Sequence, residues 1–232
     1  MRRFQKLSVI MLMIAAIFTA GCTPEENKDY DYVDLGLPSG TLWATCNVGA
    51  TTPEGYGDYF AWGETESKTT YNWSTYRYSN GKYDQLTKYC NKSNYGYNGF
   101  IDSLNILQSG DDAATANWGN RWCTPTKEQW QELIDNTTST WTTQNGVNGI
   151  LFTASNGDSL FLPAAGYRWD DGVFEVGSVG DYWSSSLYTD YPQNAWDFYF
   201  HSDGLYYSER AIGLSVRAVR SSGYRITLRK FI

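Results

Sequence analysis

From Ala195 to Ser202 apolar and polar residues alternate with a period of two, the spacing of a β-strand with one buried face. Trp196, Phe198 and Phe200 fall on one side and are assigned to a core, while Asp197, Tyr199 and His201 fall on the other. Asp203-Gly204 suits a two-residue type I′ turn, so Leu205-Tyr206-Tyr207-Ser208 is predicted to run back antiparallel. The hairpin then presents a polar, aromatic face, and Asp197, Tyr199, His201, Tyr206, Tyr207, Ser208 and Ala211 are its predicted ligand-binding residues. Tyrosine gives broad amphipathic contact at low rotamer cost, and Ser and Asp add adaptable hydrogen bonds.

The same reading along the chain yields short elements and long connections. Thr41–Val48 alternates, with Leu42, Ala44, Cys46 and Val48 facing one way and Thr41, Trp43, Thr45 and Asn47 the other. Pro53-Glu54-Gly55-Tyr56-Gly57 is a turn cluster, and Asp58–Trp62 reads as a short strand. Glu64–Ser109 is polar, Tyr-rich and without period, which predicts long excursions over the surface. Asp111–Gly119 reads as a short helix with acids at its start and Gly after its end. Thr126-Lys-Glu-Gln129 is a capping box opening a second helix, on which Trp130, Leu133 and Ile134 share a face. Asn156-Gly157 joins residues 149–155 to 159–162 as a further hairpin. The expected fold class is α+β: one domain of mixed antiparallel strands, two short helices and long loops.

The N-terminus places that domain. Arg2, Arg3 and Lys6 precede an apolar run of about fourteen residues, too short to span a bilayer and suited to a secretion signal. The run ends in Thr19-Ala20-Gly21-Cys22, which resembles a bacterial lipoprotein box, with Cys22 as the lipidated residue. The predicted layout is a signal peptide at 1–21, an acylated Cys and polar linker at 22–31, and the domain at 32–232. Two or three acyl chains hold such a domain on a membrane, because each buried methylene contributes about 0.8 kcal/mol. Glu25-Glu26 after the cysteine resembles a surface-export signal of lipoproteins in the Bacteroidota, which implies an outer-membrane protein facing the exterior, with membrane contact through the lipid anchor only.

Composition fits an extracellular setting. Loss of Arg2, Arg3 and Lys6 with the leader takes the formal charge from −7 to −10, which disfavours nucleic acid as a partner. Aromatic residues make up 17%, including 10 Trp and 19 Tyr, a profile of strands and turns rather than long helices. Cys46, Cys90 and Cys123 are an odd number, leaving open either one disulfide with a spare thiol or none.

Catalytic chemistry finds little support. The sequence offers one histidine, His201, and no Gly-x-Ser-x-Gly elbow, so no nucleophilic triad is assembled. No metal-binding spacing is present and no cofactor is implied. Asp111-Asp112 is read as helix capping rather than an acid pair or Ca²⁺ site. Cys46 and Cys123 are read as small core residues. Glu64 and Glu66 beside Trp62 would suit a glycosidase dyad only if the fold set them about 5 to 9.5 Å apart. Two functional classes remain: a binding or adhesion module for an extracellular protein or glycan, and a carbohydrate-active hydrolase or glycan-binding accessory protein.

Six motifs carry a family resemblance. They are Tyr32-Val-Asp-Leu-Gly-Leu-Pro-Ser-Gly-Thr-Leu-Trp-Ala-Thr-Cys-Asn-Val-Gly49, Gly57-Asp-Tyr-Phe-Ala-Trp-Gly-Glu-Thr65, Asp111-Asp-Ala-Ala114, Asn117-Trp-Gly119, Tyr182-Trp-Ser-Ser-Ser186 and Gly213-Leu-Ser-Val-Arg-Ala-Val-Arg220. In this order they resemble the Fibrobacter succinogenes major paralogous domain over residues 32–230. Trp122-Cys123-Thr124-Pro125 departs locally from that pattern, where Arg-Met-Pro often follows the Trp. The resemblance implies a C-type-lectin-like fold of the kind seen in formylglycine-generating enzymes, but the reactive cysteine pair of those enzymes has no match here. It also implies a variable protein of a diversity-generating retroelement. Asp197, Tyr199, His201, Tyr206, Tyr207, Ser208 and Ala211 are all reachable by adenine mutagenesis of codons such as AAC, whereas Trp196 and Glu209 are not. Asp102-Ser-Leu104 and Asp158-Ser-Leu160 resemble the O-glycosylation acceptor of the Bacteroidota, with Ser103 and Ser159 as acceptors.

Overall fold

The structure, a computed structural model, describes residues 30–200 and 204–222. In chain order its elements are β1 (Tyr32–Val33), β2 (Thr41–Ala44), β3 (Tyr59–Phe60), α1 (Ala113–Trp118), α2 (Lys127–Asn136), β4 (Thr137–Gln144), β5 (Val147–Ala154), β6 (Ser159–Pro163), β7 (Tyr167–Trp169), β8 (Gly172–Phe174), β9 (Asp181–Leu187), β10 (Asn194–Tyr199), β11 (Gly204–Glu209), β12 (Leu214–Ser215) and β13 (Val219–Ser221). This is an α+β domain of mostly antiparallel strands with two short helices and long loops, as the pattern predicts.

A five-stranded sheet in the order β11-β10-β9-β12-β3 divides the interior, and only its β12–β9 pair is parallel. β9 is buried along its whole length, so its consecutive residues serve two cores. Tyr182 points to a core made with Phe198, Phe200, Trp130 and Leu133 of α2, and Phe152 and Leu162 of the β4-β5-β6 sheet. Trp183 points to the opposite core, with Phe60, Trp62, Tyr71, Tyr89 and Leu214. The indoles here also need acceptors. Trp183 Nε1 donates to the Phe60 carbonyl at 2.6 Å, Trp62 to that of Ser184 at 2.8 Å, and Trp130 to that of Trp183 at 3.2 Å. Tryptophan buries its rings at full value only when the N–H is satisfied in this way.

The helix signals hold. Asp112 caps α1 by accepting from the Thr115 amide, and Gly119 ends it at a φ of 89°. Thr126 and Gln129 exchange both capping-box bonds at α2. Asp111 does not cap. Its carboxylate accepts from the hydroxyls of Tyr78 and Tyr89, each at 2.6 Å, and from Lys88. The hairpin at Asn156-Gly157 also forms, with Thr153 opposite Ser159.

Three expectations are corrected. Gly204 pairs with Tyr199 and Tyr206 with Asp197, so Gly204 belongs to β11 and Asp203-Gly204 is not a two-residue turn. Phe200 keeps a backbone bond to the Gly180 carbonyl and packs its ring over that glycine, where an added Cβ would lie 1.7 Å from the ring. The alternation across 41–48 fails on its outer side, since β2 lies between β1 and β13 and is buried on both faces. Asn47 turns inward. Its side chain donates to the Tyr56 carbonyl and accepts from the Nε of fully buried Arg217. The 64–109 segment, expected on the surface, folds Tyr71, Tyr76, Tyr78, Leu86 and Tyr89 inward to cover the second core.

Arg210 fixes that covering segment. Its buried guanidinium donates to the Tyr76 hydroxyl and to the carbonyls of Lys88, Tyr89 and Pro192, all within 2.8–3.0 Å, and lies 4.9 Å from the Trp62 ring. Among the described residues no carboxylate pairs with it; carbonyl dipoles and aromatic faces hold the charge instead. Cys46, Cys90 and Cys123 are all unpaired, and Cys123 is exposed rather than a core residue, because its backbone bridges to Val219 at the margin of the β1-β2-β13 sheet.

Candidate functional site

The candidate site is the β10–β11 hairpin, and its two faces differ. Trp196 lies opposite Tyr207 in the ladder, on the face that carries Phe198. Phe198 meets Trp130 of α2 at 4.9 Å between ring centroids. Trp196 sits past the start of that helix, where the core ends, and the Lys127 ammonium lies 4.2 Å from its ring. Tyr188, just after β9, stacks on Tyr207 at 4.0 Å with 8° between planes, and on Tyr191 at 6.0 Å with 27°. Trp196 presents an edge to both Tyr188 and Tyr207. Tyr191 is 48% exposed and Tyr207 46%, so four mutually packed rings form a partly open array.

The other face carries Asp197, its cross-strand neighbour Tyr206, and Tyr199. Tyr199 and Tyr206 meet edge to face at 5.7 Å. Asp181 of β9 lies opposite Tyr199 and therefore diagonally from Asp197 on the same face. Both carboxyls are buried. Neither oxygen of Asp197, nor Oδ1 of Asp181, has a hydrogen-bond partner. Burial pushes the Asp197 carboxyl up to about 7; the Ser208 hydroxyl is close enough to favour the ionised form but is not placed to hydrogen-bond either oxygen. Asp181 is pushed well up, first by burial and then by the negative charges of Asp197 and Glu175.

Of the residues predicted to bind ligand, Tyr206 and Tyr207 are exposed and Tyr199 and Ser208 half-buried. Tyr206 and Tyr207 point to opposite faces, so the single predicted face is two. Asp197 is corrected: it is fully buried, on a face it shares with Trp183 of β9 and Tyr206 of β11. Ala211 is likewise corrected, being packed into the core beside Trp62 and Leu214. His201 and Cys22 lie outside the described residues. Sequence reasoning missed Tyr188, Tyr191 and Lys127, and placed Trp196 wholly in the core. The aromatic run Tyr188-Thr-Asp-Tyr191 beside a Pro was the available signal.

Other candidate chemistry is held in structural bonds. Glu64 is buried, paired with Lys68 at 2.7 Å and accepting from the Arg77 amide, while Glu66 is exposed. Burial pushes the Asp111 carboxyl up, but Lys88, Tyr78 and Tyr89 outweigh it and hold the group below the usual range. Among the described residues no three His, Cys, Asp or Glu side chains are grouped to hold a metal. An open groove of about 830 Å³ runs between Tyr32, Leu37, Gly40 and Ser222, with the Arg220 guanidinium 4.0 Å from the Tyr32 ring. None of the predicted site residues lines it. Ser103 and Ser159 are both exposed, and Asp102 is committed to the amides of Tyr89, Cys90 and Leu104. No described helix is long and apolar enough to cross a membrane.

Compared with known proteins, the chain matches no family model, no curated protein and no solved structure.

Proposed function

We propose that this protein is a binding module, displayed on the outer membrane through a lipid on Cys22, and that its recognition patch is the array of Tyr188, Tyr191, Trp196 and Tyr207 on the C-terminal hairpin. The observation that supports this reading is the mutual stacking of rings that remain open to solvent. Rings already held by one another lose little rotamer freedom on binding, which is the main cost of ordering an aromatic patch. Lys127 beside Trp196 and Lys92, 5.8 Å from the Tyr191 ring, add donors at the rim. An extracellular protein or glycan fits this chemistry. The hydrolase reading has less behind it, since Glu64 is engaged by Lys68 and the Asp181–Asp197 pair is buried. The ordered motifs that resemble the major paralogous domain favour the same lipoprotein assignment.

Screening the leaderless chain on glycan and protein arrays, with Tyr207→Ala beside it, tests the proposal. Loss of the Tyr207 pairs with Tyr188 and Trp196, each worth about 0.5–1.5 kcal/mol, should cost no more than about 3 kcal/mol of stability. Affinity should fall about thirtyfold, the equivalent of about 2 kcal/mol for a central tyrosine. Equal binding by the variant would place the site elsewhere, and release of reducing ends from a polysaccharide would favour the hydrolase. The retroelement reading now concerns the accessible positions Tyr199, Tyr206, Tyr207 and Ser208. A template repeat and reverse-transcriptase gene beside the coding sequence would support it, and their absence would end it.

A further inference from the structure

The hairpin face opposite the aromatic array has an unusual composition. Asp181 and Asp197 are 5% and 0% exposed, and three of their four carboxylate oxygens find no donor. Among the described residues neither forms a salt bridge. The ionisable groups interacting with this pair or its neighbours are Glu175, Tyr167 of β7, Tyr199 of β10 and Tyr206 of β11, none of them cationic at neutral pH. Tyr206 is 46% exposed, lies directly opposite Asp197 in the ladder and meets Tyr199 edge to face. Alongside, Tyr167 stacks on exposed Phe174 at 5.6 Å, and Val173, Glu175 and Val176 are exposed. Buried carboxylates without donors are rare in native proteins, and each instance calls for a reason.

We propose that this face docks a protein partner through an arginine side chain, which displaces the Tyr206 ring to reach Asp197 and Asp181 and is flanked by Tyr199, Tyr167 and Glu175. Charge complementarity carries the argument: two buried carboxyls and the negative charge of Glu175 interact where the described residues supply no counter-ion. Arginine fits better than lysine. Its five donors match several unpartnered oxygens, its planar fork meets carboxylates two bonds at a time, and it stacks on tyrosine faces. The inference rests on the hairpin being a recognition element, but it uses the face opposite Tyr207. It also predicts proton linkage. Burial pushes both carboxyls up when no cation is present, whereas an arginine beside them favours the ionised forms.

N-acetyl-arginine amide and its uncharged isostere N-acetyl-citrulline amide, titrated into the full chain with labelled tyrosine rings, test the proposal. The arginine probe should shift the Tyr199 and Tyr206 resonances saturably, with the citrulline probe at least tenfold weaker. Affinity for arginine should rise tenfold or more from pH 5 to pH 8, in native protein and in a His201→Gln background, where an imidazole no longer titrates in that window. Asp197→Asn should remove most of this rise and weaken arginine binding at pH 8 at least tenfold. That variant should melt no lower than the native protein at pH 8, because an amide replaces a buried charge. Glu175→Gln, at an exposed position, should weaken binding about threefold and does not depend on the buried pair accepting a substitution. Equal binding of the two probes, an unchanged affinity in Asp197→Asn, or shifts confined to Tyr188 and Tyr207 would overturn the proposal. Tyr207→Ala should leave arginine binding intact, so failure of the aromatic array as a binding patch is separable from failure here.

Discussion

Arg210→Ala is expected to lower stability by about 3–5 kcal/mol and to expose the 64–109 segment to protease in the native state. The substitution strips donors from the Tyr76 hydroxyl and from the carbonyls of Lys88, Tyr89 and Pro192, all of which meet the guanidinium inside the protein. Each buried acceptor left bare costs about 1–3 kcal/mol, and the void beneath Trp62 adds to that. For a chain of this size the melting temperature should fall by roughly 10 °C. The effect should be local first. Three of the four bonds reach Tyr76, Lys88 and Tyr89, so they tie the irregular segment to the end of β11. Arg210→Met separates the causes: it fills most of the volume but donates nothing, and should recover the cavity part alone. Limited proteolysis beside thermal melting is the measurement. A variant that melts within about 1 kcal/mol of the native protein, with its 64–109 segment still resistant, would show that the segment is held by its buried tyrosines and not by Arg210.

What the sequence made legible was local. The Thr126–Gln129 box, the Asp112 cap and the Asn156-Gly157 hairpin are decided by a few adjacent residues, and all three form. Trp43, Trp62, Trp118 and Trp183 are buried too, because rings of that size go inside wherever a core exists. What stayed hidden depends on the partners of each strand. Alternation reports burial only when one face is open; β2 is buried on both, and in β10 each face carries one buried and one half-buried residue among 196–199. Asp197 therefore read as displayed although it is interior. β4 went unseen because its Thr-rich sequence carries a single large apolar residue, Trp141, although Asn145-Gly146 adopts positive φ at both positions, as a type I′ turn requires. Arg210 and Arg217 gave no signal at all. Nothing near them in sequence shows that a charge can be buried on carbonyls contributed by residues more than a hundred positions away.

Phe198→Ala is the second large effect, and it separates scaffold from recognition within one strand. Phe198 is fully buried, stacked on Trp130 at 4.9 Å and tilted against Phe152 at 5.7 Å, so it joins the hairpin both to α2 and to the β4-β5-β6 sheet. Truncation to Ala deletes an aromatic ring from a site whose other walls are a helix and two sheets, which have little room to collapse. The cost should be about 3–5 kcal/mol, roughly 10 °C in melting temperature. Trp196, two residues away on the same face, should behave differently. It is half-buried beyond the start of α2, so Trp196→Ala should lose little stability but should weaken any ligand of the aromatic array as Tyr207→Ala does. The comparison is made by thermal melting and ligand titration on both variants, with binding expressed per folded molecule. If Trp196→Ala melts as early as Phe198→Ala, the array is an extension of the core and its exposed rings are not a recognition patch. If Phe198→Ala instead stays folded and loses binding, the division of the hairpin into a packed part and a displayed part is wrong at its centre.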